Sequence, residues 1–224
     1  MTTHIRRPLA VLLVLTALSA GCGDNGSPPA ATKVETSAAG PRLPAGFTTR
    51  VVKDQGFSIA LPKAWRAIDA HAALSAGSKE FRKRNPQIVR QIEALARPNS
   101  PIKLLALGAT VRGFVTNLNV IVTRIPESIG FDDWTAAEIK EIEKVPTVTR
   151  LQREETQLRP GRAVHLTYRA SFNGPGGSFA AFVHQYMVKS DGLLYILTYT
   201  TLPAAEPRFR DTFADSARSF RLTR

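Results

Sequence analysis

The sequence contains a single cysteine, Cys22, among its 224 residues. One thiol excludes intramolecular disulfides, so the folded part must be stabilised by its hydrophobic core. Long apolar runs are missing too: the segment from Leu9 to Leu18 is shorter than the roughly 20 residues that span a bilayer. This shortness favours a cleaved export signal over a transmembrane helix that stays in place.

Familiar catalytic motifs are also absent. The sequence has no Gly-x-Ser-x-Gly, no His-Glu-x-x-His and no Walker loop. Ser178 follows two glycines, but this position is typical of a hairpin turn rather than of a catalytic serine between a strand and a helix. We therefore expect a protein that is not an enzyme and that carries no cofactor.

The N-terminal residues have the three parts of a secretory signal. Arg6 and Arg7 supply the positive start, the apolar stretch follows, and small residues precede Cys22. The run Leu18-Ser19-Ala20-Gly21-Cys22 resembles the bacterial lipobox, whose cysteine takes a diacylglyceryl group and becomes the first mature residue. The resemblance implies a signal peptide over residues 1–21, acyl chains such as palmitate on Cys22, and the extracytoplasmic face of a bacterial membrane. Simple secretion and an uncleaved anchor are the alternatives.

The chain divides into three parts. After the signal, residues 22–46 are rich in Gly, Ala, Ser, Pro and Thr and cannot bury enough apolar surface to fold, which predicts a flexible tether. Residues 47–224 are enough for one domain with a sizeable core.

Periodicity predicts an α+β domain, an antiparallel sheet flanked by helices. A strand over Phe57–Leu61 ends at Pro62, and Trp65 is expected to pack on the core. Residues 75–97 predict two helical pieces separated at Asn85-Pro86, and a closing helix follows Pro203. Further strands are predicted near 103–109, 115–125, 148–157, 163–172, 179–189 and 193–201, with short turns joining the last four as antiparallel neighbours.

A helix over 134–145 is predicted after Asp132 and Asp133. Its charged residues read as a solvated face of mixed sign without a function: Glu138, Lys140, Glu141 and Lys144.

Two segments carry a resemblance to a known fold. Gly56 to Trp65, a strand ending in Pro and then Trp, resembles the opening of PsbP-like domains in bacterial envelope lipoproteins. Leu194 to Tyr199, followed by a helix ending in Ser219-Phe220-Arg221-Leu222, is similar to their last strand and helix. With the lipobox and tether, the order of elements resembles the LpqN-type lipoproteins of actinobacterial envelopes. The resemblance implies an α/β/α sandwich and accessory, binding or assembly roles.

His165 and His184 lie in strands that are predicted to be neighbours, so a two-histidine metal site is conceivable. No cysteine or carboxylate stands at ligand spacing, and Arg169 shares a face with His165. The sequence therefore predicts no metal site.

The net charge is +12, and basic residues cluster on or beside the first helices: Arg82, Lys83, Arg84 and Arg90. Such a cluster would hold the domain near anionic lipid or an acidic wall polymer. The alternative is an ordinary solubilising surface. Nucleic acid is not expected, because the protein is predicted to lie outside the membrane and lacks a base-stacking motif.

Three hypotheses on function follow. The first is a non-enzymatic envelope lipoprotein that binds a lipid, a glycan or an unknown protein partner through its sheet, its helical face or a cleft between them. The second is a structural subunit of a membrane complex, which would need a large apolar surface patch. The third is a hydrolase whose site is assembled from distant residues, which would need a polar cleft with perturbed carboxyl or histidine groups.

Overall fold

A computed structural model describes residues 43–68, 86–97, 99–174 and 177–223, and these residues form an α+β structure. The strands are β1 Phe47–Val52, β2 Phe57–Pro62, β3 Arg66–Ala67, β4 Ile102–Val111, β5 Phe114–Arg124, β6 Val148–Leu158, β7 Gly161–Gly174, β8 Gly177–Ser190, β9 Leu193–Thr201 and β10 Arg221–Leu222. The helices are α1 Pro86–Leu95, α2 Phe131–Glu143 and α3 Glu206–Ser219, and a short 3-10 turn spans Lys53–Gln55.

The strands form two antiparallel sheets. The larger has seven strands in the order β3-β4-β5-β9-β8-β7-β6, and the smaller has three in the order β1-β2-β10. Two-residue turns join β4 to β5 and β8 to β9, and both residues of each turn have positive φ. Arg112 and Gly113 form the first turn, and Asp191 and Gly192 the second. Such turns suit the right-handed twist of the flanking strands and fix their register.

The large sheet is covered on both faces. Because side chains alternate along a strand, Tyr195, Leu197 and Tyr199 of β9 pack with α3 and the small sheet, while Leu194 and Ile196 face the side that carries α1 and α2. This arrangement is the α/β/α sandwich that the sequence resemblance implies, and the predicted fold class is confirmed.

Most of the predicted elements are confirmed, with small shifts at their ends. Helix α1 begins at Pro86, as its fixed φ favours. Helix α2 begins at Phe131, three residues earlier than predicted, so Asp132 and Asp133 lie in its first turn, near the positive end of the helix dipole. The predicted helical piece over residues 75–85 lies outside the described residues.

Trp65 is buried against the core, as predicted. Only 4% of the residue is exposed, and its ring packs edge-on against Phe213 with centroids 6.2 Å apart. Three phenylalanines of the closing helix and its end are also buried: Phe209 and Phe213 lie in α3, and Phe220 follows it directly.

Candidate functional site

Of the residues singled out for surface binding or lipidation, only Arg90 is described. Cys22, Arg82, Lys83 and Arg84 lie outside the described residues. Arg90 is exposed on α1, whose opposite side is held on the sheet by Ile88 and Ile92, both buried. In the part of the chain that the structure describes, no helix is long and apolar enough to cross a membrane.

His165 and His184 come together on the α3 face of the large sheet. They lie on the neighbouring strands β7 and β8, and His165 Nε2 is 3.2 Å from His184 Nδ1. His184 Nε2 lies 3.1 Å from a carboxylate oxygen of Glu206, at the first position of α3. Since a carboxylate accepts hydrogen bonds, His184 donates from Nε2 and accepts at Nδ1 from His165.

We call the hydrogen-bonded series His165–His184–Glu206 the histidine chain. At its far end, Glu206 is held in place by Arg210. The Arg210 guanidinium donates two hydrogen bonds, of 2.7 and 2.8 Å, to the two oxygens of Glu206. These bonds hold the pKa of Glu206 below its usual range, against the opposing effect of burial. Such a bidentate pair fixes the carboxylate in both position and charge.

The protonated, charged form of both histidines is disfavoured by their surroundings. Burial, and then the proximity of His184, lower the pKa of His165 to about 4. Burial also lowers the pKa of His184, and its hydrogen bond to Glu206 only partly offsets that effect. The His165 ring stacks on Tyr186 with centroids 4.1 Å apart, and His184 packs edge-on against Phe213. The pair is therefore neutral near pH 7 and sits among aromatic rings.

The histidine chain has little of what a catalytic site needs. Within the described residues, the hydrogen bonds of the pair run to each other and to Glu206, and no hydroxyl or thiol is hydrogen-bonded to either ring. Ser178 is exposed at the hairpin end of β8, six residues or about 20 Å along the strand from His184. Across those same residues, no group of three or more His, Cys, Asp or Glu side chains is placed to hold a metal ion.

A second polar cluster lies on the opposite face of the large sheet. Asn119 on β5, Thr198 on β9 and Gln185 on β8 are direct cross-strand partners and form one row across the middle of the sheet. Helix α1 packs on β4 to one side of this row, and α2 lies over the β6 side. We call the space above the row, between these two helices, the central groove.

Solvent reaches the floor of the central groove at Thr198. Of the nine residues of β9, Thr198 alone keeps intermediate exposure, while its row neighbours Asn119 and Gln185 are buried. A partly exposed residue on the middle strand of a seven-stranded sheet requires an opening above it. The opening leads to side chains with both hydrogen-bond donors and acceptors.

Two buried amide groups near the central groove have unused hydrogen-bonding atoms. The Gln185 Oε1 atom accepts a 3.1 Å hydrogen bond from the Tyr168 hydroxyl, but Gln185 Nε2 has no partner among the described residues. Asn117 donates from Nδ2 to the Val115 carbonyl, and its Oδ1 is likewise without a partner in this part of the chain. Leaving such groups unpaired costs about 1–3 kcal/mol each, so a hydrogen-bonding partner for these atoms would be stabilising.

Glu138 lies on α2, which packs on the same face of the sheet as this cluster. The sequence assigned Glu138 to a solvated helix face, and that prediction is wrong: the residue is half-buried. It follows buried Thr135 by three residues and precedes buried Ile142 by four, which puts it on the sheet-facing side of α2. Burial, and then repulsion by Glu141, raise the pKa of Glu138 to about 7.

Sequence reasoning found the two histidines because a hairpin joins their strands, but it missed Glu206 and the central groove. A weak signal for the groove is present in the sequence, since Asn119 and Thr123 alternate with Ile121 on one face of β5. Gln185 and Thr198 gave no such signal, because isolated polar residues are common in strands and the sequence does not show that these two are neighbours.

No protein-family model matches the chain, and no curated protein matches it by sequence. Among solved structures, cyanobacterial PsbP (CyanoP) from Synechocystis superposes with a TM-score of 0.52 at 16% identity, covering 84% of this chain and 98% of that one. This likeness confirms the PsbP-like fold and extends to the fold alone.

Two further structures are similar at lower scores. LpqN of Mycobacterium tuberculosis, described as involved in cell envelope biogenesis, has a TM-score of 0.46 at 12% identity over 80% of this chain and 91% of its own. The Ran-binding protein Mog1p of Saccharomyces cerevisiae has a TM-score of 0.49 at 7% identity, over 79% of this chain and 95% of its own.

Proposed function

We propose that this protein is a non-enzymatic binding module, held by lipid on Cys22 at the outer face of a bacterial membrane, and that its domain takes up an envelope component in the central groove. The single observation that carries the proposal is the solvent opening at Thr198, whose cross-strand neighbour Gln185 is buried and has an amide nitrogen without a partner among the described residues. An opening that leads to a few polar groups, on a largely apolar face of a sheet, is typical of a small-molecule site.

The histidine chain supports a role without catalysis. His165 and His184 are hydrogen-bonded to each other, and Glu206 is bound by Arg210. A general base needs a reacting group within hydrogen-bond reach, and these residues instead join α3 to the sheet. A permanent structural subunit is the weaker alternative, because it needs a broad apolar patch; among the described residues, the exposed large apolar side chains are only Leu43 and Val51.

The basic segment around α1 supports a second contact, with anionic lipid or an acidic wall polymer. Arg90 is exposed on a helix that is packed firmly on the sheet, and the predicted cluster of Arg82, Lys83 and Arg84 precedes it in sequence. Each basic residue near an anionic surface contributes about 1 kcal/mol. This contact would orient the domain on the surface to which its tether is anchored.

The binding function is tested by native mass spectrometry of protein extracted from its own membranes. The wild-type chain is expected to carry a non-covalent small molecule, and Thr198→Trp is expected to lose it because the indole fills the groove. Thr149→Trp, on the exposed edge strand β6, is the control and should keep the molecule. A wild-type protein that carries no small molecule contradicts the proposed binding function, as does a Thr198→Trp protein that still carries it.

Anchoring and surface binding are tested separately. Cys22→Ala is expected to move the protein from the membrane fraction to the soluble fraction with its domain folded; a protein that stays membrane-bound after signal cleavage would contradict lipidation. The soluble Cys22→Ala protein should bind anionic vesicles at low salt, and less as salt rises, because exposed charges are screened beyond about 10 Å at 0.1 M.

Charge reversals locate the contact. Lys83→Glu with Arg84→Glu should abolish vesicle binding and leave the thermal midpoint nearly unchanged, and Arg90→Glu should weaken binding. Arg208→Glu is the matched control, since Arg208 is exposed on α3, on the other face of the sheet. If Arg90→Glu and Arg208→Glu weaken vesicle binding equally, the binding depends only on the net charge of the protein, and a contact through α1 is contradicted.

A further inference from the structure

We propose that the central groove binds its ligand through a primary ammonium group, with Glu138 as the counter-ion and the Gln185 amide as the donor to a neighbouring ligand oxygen. This proposal rests on the proposed binding function and adds the chemical class of the ligand to it.

Glu138 is positioned to meet a ligand in the groove. It faces the sheet from α2, between the buried residues Thr135 and Ile142. Ile139 and Ile142 of the same helix pack in one apolar cluster with Tyr168, whose hydroxyl donates to Gln185 on the groove floor. This packing places the sheet-facing side of α2, which carries Glu138, over the Gln185 end of the row.

No cation within the described residues pairs with Glu138. Lys144 of the same helix binds Glu141 at 2.7 Å. Lys189, on the groove face of β8, donates to the Ile129 carbonyl at 3.0 Å. The protein carries a net charge of +12, yet this half-buried carboxyl group has no basic partner there. A half-buried carboxyl without a partner favours a ligand that brings its own positive charge.

The polar atoms of the groove that have no partner among the described residues define what the rest of the ligand must present. Glu138 and Asn117 Oδ1 are acceptors and need donors, while Gln185 Nε2 is a donor and needs an acceptor. An ammonium group supplies three donors, and a carbonyl or hydroxyl a few bonds away supplies the acceptor. Gln185 and Asn117 are two strand spacings apart, about 10 Å across the sheet, and Asn117 lies two residues further along the strand direction, about 7 Å, so a short amine has room between them.

Other ligand classes fit the groove less well. The carboxylate of Glu138 would repel an anionic ligand in the groove, just as the carboxylate of Glu141 repels that of Glu138. A fully neutral ligand would leave the carboxylate unpaired at a site where burial disfavours its charge. An ammonium ion offsets that penalty and returns the carboxyl group to its ionised form.

The experiment compares two probes that differ in one charge, glycinamide and N-acetylglycinamide. Both have an amide oxygen for Gln185, but only glycinamide has an ammonium group. Binding of each to the full chain at pH 7 is followed through the side-chain amide NMR signal of Gln185, in the wild type, in Glu138→Gln and in Glu141→Gln. Glu141→Gln is the matched control. It also removes one carboxylate from α2, but Glu141 forms its ion pair with Lys144 at the surface.

We expect glycinamide to bind the wild type at least about tenfold more tightly than N-acetylglycinamide, a difference of about 1.4 kcal/mol. Glu138→Gln should reduce the ratio to about one, whereas Glu141→Gln should keep or increase it, because this change removes a repulsion that disfavours the charge of Glu138. Equal affinities in the wild type would overturn the proposal, and so would a ratio that survives Glu138→Gln or a Gln185 signal that neither probe shifts. If the native small molecule is still lost on Thr198→Trp while the probes show no preference, the ammonium assignment fails and the binding function stands.

Discussion

Replacing Gly108 by alanine tests how firmly Trp65 is held between the large sheet and α3. A Cβ atom at position 108 would lie 2.5 Å from Trp65 Cε2, 2.6 Å from Nε1 and 2.9 Å from Cζ2. Contacts this short are not tolerated, so the ring or the strand must move. The ring has little freedom, because it is buried against Phe213 and its backbone amide donates to the Pro62 carbonyl.

The expected cost follows from this geometry. Forcing an extra methyl group into a packed core costs about 1–3 kcal/mol, and Gly108→Ala should destabilise the domain by that amount. Trp65→Ala, which leaves a cavity, should cost about 3–5 kcal/mol. In a Trp65→Leu background the methyl group has room, so Gly108→Ala should there be neutral, or stabilising by some 0.4–1 kcal/mol through the unfolded chain.

The assay is urea denaturation of the four proteins of this double-mutant cycle, followed by circular dichroism, which avoids the change in fluorescence when Trp65 is removed. For a domain of this size each kcal/mol also moves the thermal midpoint by about 2–4 °C. The coupling between the two sites should be about 1–3 kcal/mol. Gly108→Ala could lower the free energy of unfolding equally in both backgrounds, or not at all in the wild type. Either result would show that Trp65 does not pack tightly against β4.

Two further predictions concern the polar contacts around α3. Stability should fall as the pH drops from about 6.5 towards 4, because burial lowers the pKa of His165 to about 4 and the unfolded chain then binds protons that the folded protein does not. His165→Gln should flatten this decline in urea titrations, and parallel profiles for the two proteins would refute the linkage. Ser216→Ala should lower the free energy of unfolding by about 1–3 kcal/mol, since Ser216 accepts from the Tyr199 hydroxyl at 3.0 Å and donates to the Ala60 carbonyl at 2.7 Å. An unchanged urea midpoint would show that water replaces both bonds.

Local chemistry explains why the strands and helices could be predicted from the sequence. Asp191-Gly192 can take positive φ at both positions and so marks a tight hairpin, and Pro86 marks the start of a helix. The neighbouring positions of His165 and His184 followed from the short connection between their strands. Each of these features is decided within a few residues of sequence.

The central groove could not be predicted in this way, because it depends on pairing between distant strands. Asn119 and Thr198 are 79 positions apart and become neighbours only through the register of β5 on β9. Glu138 was misassigned because mixed charges on a helix usually face solvent, and only the packing of α2 shows which of them is turned inward. Glu206 meets His184 only because α3 packs across the sheet.

The order of the strands in the small sheet affects how the domain folds. Its middle strand, β2, is flanked by β1, which immediately precedes it, and by β10, which follows α3. Arg221 pairs with Ser58, and the Ser219 hydroxyl accepts from the Ala60 amide across 159 positions of sequence. Contacts of such separation raise the contact order and slow folding. On a growing chain, β2 can pair early with β1, but its second edge stays open until residue 222 has emerged, and an open edge can pair with other chains.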